Sequence, residues 1–115
     1  MNDYLELFEK FKDDKEIVDL INDVKKLRFY YSTRQYDSML QHIKELTRKY
    51  TLETLVWNSV NKVQPITYDQ SYQNAEVFLH SKGLIMLIKK GYDLSQHLKQ
   101  EEINYIQQLI KNMEN

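Results

Sequence analysis

Glycine occurs only twice and proline once in the chain, which denies it the repeated tight turns that hairpins and β-sandwiches need. What it offers instead is apolar side chains at helical spacing. Tyr4, Leu7, Phe8 and Phe11 fall at i, i+3, i+4 and i+7, with Asn2 or Asp3 in place as a cap. A second stripe, Ile17, Leu20, Ile21, Val24, Leu27 and Tyr31, follows Asp13 and Asp14, either of which suits an N-cap. A third runs through Tyr36, Met39, Leu40, Ile43, Leu46 and Tyr50, opened by Ser32 and Thr33, and a fourth through Leu52, Leu55, Val56, Val60 and Val63, capped by Thr51.

Pro65 disfavours helix at Gln64 and removes a backbone donor, so residues 64–68 read as the one longer loop. Asp69 restarts a helix that runs through Ala75, Phe78 and Leu79 into the apolar stretch Leu84 to Ile88. That stretch is short enough for a buried strand, but no other segment offers it a strand partner, and helix is preferred. Gly83 inside this helix costs about 1 kcal/mol relative to alanine, which predicts close approach to a neighbouring helix. Lys89, Lys90 and Gly91 are stop signals. The last helix starts between Asp93 and Lys99 and packs through Ile103, Ile106, Ile110 and Met113. The expectation is an all-α fold, a compact bundle of five or six helices forming a single domain over residues 1–115. Burial makes Leu20, Ile43, Leu55, Phe78, Leu87 and Ile106 the positions least tolerant of truncation.

Composition excludes several classes of function. No cysteine is present, so disulfides, thiolate metal sites and thiol nucleophiles fall away, and a reducing cytoplasm suits the chain. The N-terminal residues are acidic where a signal peptide needs a basic start, and no apolar run approaches membrane-spanning length. Net charge is −1, yet unevenly spread. Residues 1–23 hold eight acids against three lysines, and residues 25–50 hold seven bases against Asp37 and Glu45. An acidic first segment folded beside a basic second one would neutralise both.

The segment Lys25 to Tyr36 interleaves four cations with four aromatics, the mixture that single-stranded nucleic acid favours. Helical spacing assigns Leu27, Tyr31 and Tyr36 to the core, which leaves Phe29 and Tyr30 beside Lys25, Lys26, Arg28 and Arg34. A helix-turn-helix reading of residues 39–62 would use Asn58 and Asn61 on base edges, but Glu53 repels phosphate and the turn lacks glycine. His42 with Glu45, and Glu76 with His80, are helical neighbours, yet no Glu-x-x-His pair supports a metal centre. No catalytic motif appears, so neither a catalytic residue nor a cofactor is assigned.

Nine tyrosines and one tryptophan against a single alanine point to a protein partner, since Tyr, Trp and Arg anchor interfaces. The binding candidates are Arg28, Tyr30, Arg34, Trp57, Tyr68 and Tyr72. The expected function is a small, non-enzymatic cytoplasmic protein-binding module of inhibitor, immunity or adaptor type. It would act as a monomer or homodimer, without membrane association, by occupying a partner's surface. Nucleic-acid binding through residues 25–36 is the alternative.

Overall fold

The computed structural model describes residues 4–50 and 67–114, and every regular element within them is helical. Helix α1 (Leu5–Phe8) runs into a 3-10 turn (Glu9–Phe11), followed by α2 (Lys15–Ser32), α3 (Tyr36–Lys49), α4 (Tyr68–Lys89) and α5 (Gln100–Glu114). The fold is thus an all-α bundle with five helices among the described residues. The expected stripe from Thr51 to Val63, with Leu55 and Trp57, lies outside them, as do the Asn2 and Asp3 caps, the loop residues Gln64 to Ile66 and the side chain of Met113. Among the described residues no helix is long and apolar enough to cross a membrane.

Helix α2 is the organising element. Asp14 caps it by accepting a hydrogen bond from the Glu16 amide at 3.0 Å. Ile17, Leu20, Ile21, Val24 and Leu27 are all buried, as their spacing predicts. The helix ends in a Schellman motif: the Gln35 amide donates to the Tyr30 carbonyl at 2.8 Å and the Arg34 amide to that of Tyr31 at 3.1 Å. That places Arg34 at φ 57°, a left-handed conformation that favours glycine. Ser32 and Thr33, expected to open α3, instead close α2, with both hydroxyls donating to the Phe29 carbonyl.

Helix α4 starts at Tyr68, one residue before the expected Asp69, because Thr67 and Gln70 form a capping box. Its second half is buried almost all round, with Leu84, Ile85, Met86 and Leu87 in succession, as befits a helix enclosed by others. It too ends in a Schellman motif, with Gly91 at φ 87° and the Tyr92 amide donating to the Leu87 carbonyl at 3.1 Å. Helices α2 and α4 run antiparallel. Tyr72 meets Tyr31, Glu76 meets Arg28, Gly83 meets Leu20 and Lys90 meets Asp14.

Several expected core positions shift. Leu40 is exposed and Ile43 only partly buried, because α3 turns the unexpected His42 inward beside the expected Met39 and Leu46. The last helix begins at Gln100, just past its expected bracket, since Leu94 and Leu98 first bury themselves in a short turn. Within α5, Ile106 and Leu109 are buried, whereas Ile103 and Ile110 pack at the edge.

A β-carbon at position 83 would collide with Phe8 Cζ and lie 2.6 Å from Leu20 Cδ2. Gly83→Ala should therefore destabilise the fold by about 1–3 kcal/mol through overpacking, despite alanine's better helix propensity. Urea denaturation checks this, and Phe8→Leu in the same chain should recover part of the loss. At the other end of the α2–α4 seam, Lys90 donates to Asp14 at 2.7 Å and holds its carboxyl below the usual carboxylate range. A lowered folded-state pKa gives stability that is present above the unfolded value and is lost as pH falls through the folded one. Asp14→Asn, which keeps a good cap, should accordingly flatten the loss of thermal stability below about pH 4.

Candidate functional site

Successive residues of a helix point about 100° apart, so the last turns of α2 distribute their side chains among different neighbours. Arg28 and Tyr31 face α4, Tyr30 faces α3, and Phe29 points outward at 55% exposure. The basic-aromatic segment is therefore not one surface.

On the α4 side, Glu76 is a buried carboxylate. Arg28 Nε donates to its Oε2 at 3.1 Å, and the Tyr72 hydroxyl donates to the same oxygen. A charge at this depth needs such partners. Burial first, and then the bond to Glu76, push the Tyr72 phenol well above its ordinary range. Tyr72 stacks on Tyr31 at 4.0 Å between ring centroids and 6° between planes, and Tyr68 stacks on Tyr36 at 4.6 Å and 8°. The two stacks adjoin, with Tyr31 and Tyr36 at 6.4 Å. Tyr31 donates to Asp69 at 2.5 Å, which raises its phenol pKa and ties α2 to the first turn of α4. Four rings thus form a ladder whose outer member, Tyr68, is 48% exposed.

On the α3 side, Tyr30 is half-buried, 6.1 Å edge-to-face from the buried His42 and 5.9 Å from Phe29. Arg34 stands exposed in the turn between α2 and α3.

The site candidates thus divide. Arg28, Tyr68 and Tyr72 come together through Glu76 and the ring ladder, Tyr30 and Arg34 flank them, and Trp57 lies outside the described residues. Tyr72, expected as an exposed anchor, and Arg28, expected as a binding residue, both bond to Glu76, and Tyr31 and Tyr36 belong to the ladder rather than the deep core. Glu76 was legible only as a neighbour of His80. Its better signal is an acid just ahead of the apolar half of the helix, with a tyrosine one turn before it.

Charge pairing follows the expectation in part. Lys25 lies 3.5 Å from Glu9, and Lys49 pairs with Asp19 and, at 2.9 Å, with Asp23. Arg28 departs from it, because its carboxylate comes from α4. The Glu76 and His80 pair is also divided: His80 packs edge-on against Tyr4 and Phe8. Among the described residues no three His, Asp or Glu side chains converge as metal ligands would.

Comparison with protein families, curated proteins and solved structures gives no match, so the geometry alone carries the functional argument. Arg28→Met would strand a buried carboxylate and should cost on the order of 3 kcal/mol. Tyr72→Phe removes only one bond and should cost about 1 kcal/mol. Chemical denaturation of the two variants checks that order.

Proposed function

We propose that this chain is a non-enzymatic protein-binding module, of inhibitor, immunity or adaptor type. It acts in the cytoplasm, as a monomer or homodimer, by occupying a partner's surface with the end of the bundle formed by the α2–α3 turn and the start of α4. The observation that carries the reading is the tyrosine ladder, which holds Tyr68 out to solvent from a stacked base, while Phe29 and Arg34 are exposed at the end of α2 and in the turn after it. Rings already fixed by stacking lose little conformational freedom on binding, which is what makes an aromatic anchor effective. Arg34 adds to this, since it keeps a left-handed backbone at a position where glycine would relieve strain.

The rival reading, nucleic-acid binding by residues 25–36, needs those cations free for phosphate. The pairing of Lys25 with Glu9 and of Arg28 with Glu76 weighs against it.

Capture from the source cell by immobilised full chain tests the proposal when wild type is compared with Phe29→Ser and Arg34→Gly. Both variants should retain the fold, and Arg34→Gly should gain about 1 kcal/mol in stability. A captured protein should be lost at least tenfold with either variant. A micromolar, salt-sensitive complex with DNA or RNA at physiological ionic strength would overturn the reading.

A further inference from the structure

Between the end of α2 and the first half of α3 lies a cavity of about 280 Å³ lined by Lys26, Tyr30, Asp37, Gln41, His42 and Glu45, among others. His42 is 4% exposed. Its Nε2 lies 3.1 Å from the Asp23 carbonyl oxygen. A carbonyl only accepts, so Nε2 carries hydrogen and donates, and in the neutral imidazole Nδ1 is left as an acceptor. Nδ1 makes no hydrogen bond among the described residues and stands 3.9 Å from Glu45 Oε2. With the imidazole neutral, Nδ1 and the Glu45 carboxylate are both acceptors.

Nδ1 is closed to solvent as the side chains stand, so a donor nitrogen reaches it once the Glu45 carboxylate shifts, and can then lie at an ordinary hydrogen-bond length from both acceptors. Asp37 supplies a second carboxylate in the lining, and the Tyr30 ring offers a π face to a cation. The cation of the lining, Lys26, has its ammonium 5.9 Å from the Tyr30 ring centroid, so the two carboxylates outnumber it. The Glu45 side chain, 54% exposed, can admit a ligand by changing rotamer alone.

From this arrangement we propose that the cavity binds the ammonium or guanidinium head of a basic side chain presented by a protein partner. The head group donates at once to Nδ1 of His42 and to the Glu45 carboxylate. The source of the side chain rests on the protein-binding reading; the chemistry of the cavity does not.

The test is a titration of the ¹⁵N-labelled full chain at about pH 8, where the Nδ1 resonance of His42 reports directly whether that atom accepts a hydrogen bond. The probe is a blocked Gly-Lys-Gly peptide, and the control is the same peptide with norleucine for lysine. The lysine peptide should shift Nδ1 saturably, with a dissociation constant on the order of millimolar. The norleucine peptide should not, and Glu45→Gln, at an exposed position that leaves folding intact, should weaken binding at least tenfold. Equal shifts from both peptides, no saturable shift at all, or full binding by Glu45→Gln would each overturn the proposal. Because the titration uses no partner, peptide binding by a chain that captures no protein would keep the cavity's chemistry and sink the partner as its source. Capture without peptide binding would sink the cavity and keep the reading.

Discussion

The missing β-carbon of Gly83 is what lets α4 settle against Phe8 and Leu20, and the register of the bundle depends on that contact. Once α4 is fixed there, the antiparallel pairing with α2 follows step by step. Two helical turns before Gly83, Glu76 comes opposite Arg28; one turn further, Tyr72 comes opposite Tyr31; two turns beyond it, Lys90 reaches Asp14. A larger residue at 83 would push the helices apart, and every polar and aromatic pair along the seam would lengthen together. Packing at Gly83 sets the distance and the register, and the pairs at the two ends then hold both.

The polar groups on that seam differ in what they contribute. Lys90 and Asp14 lie at a wet edge, where an ion pair adds little, but Asp14 also caps α2, so one carboxylate starts one helix and receives the end of another. Glu76 is buried, and its pairing with Arg28 and Tyr72 mainly avoids the cost of an uncompensated charge. Such a pair selects one arrangement over others. Slide α4 by one turn toward the middle of α2 and the carboxylate comes opposite buried Val24, an apolar side chain that cannot pair it.

Helix identity was legible because the apolar residues of α2 repeat at the helical period and because Gly91 and the lysines before it form an unambiguous stop. The run Leu84 to Ile88 was correctly a helix, for want of a strand partner. What the periodicity could not show is which edge of an apolar stripe turns inward: in α3, Met39 and Leu46 are buried as expected, but Leu40 and Ile43 yielded to His42, since a polar histidine pairs with the Asp23 carbonyl and reads as surface in one dimension. Caps misled where two candidates lay side by side. Ser32 and Thr33 look like an N-cap for α3 but bond backward to Phe29, and Thr67 escaped notice because it stands among the residues of a proline loop. Of the candidate site, the residues were legible and their partners were not, because Arg28 meets Glu76 across 48 positions of chain.

The basic-aromatic segment at residues 25–36 divides among several neighbours for a geometric reason. Interleaved cations and rings form one binding face only if they share a side of the helix, and consecutive positions on α2 cannot. Arg28 reaches Glu76, Phe29 reaches solvent, Tyr30 reaches the edge of His42 and Tyr31 stacks on Tyr72. The same turn therefore helps to hold α4 and α3 and still presents a ring outward. The side chains these contacts leave exposed here are Phe29, Arg34 and Tyr68, while His42 is buried behind exposed Glu45. Of these, Tyr68 alone stands on a stacked ring, and that stacking restricts its side chain before anything meets it.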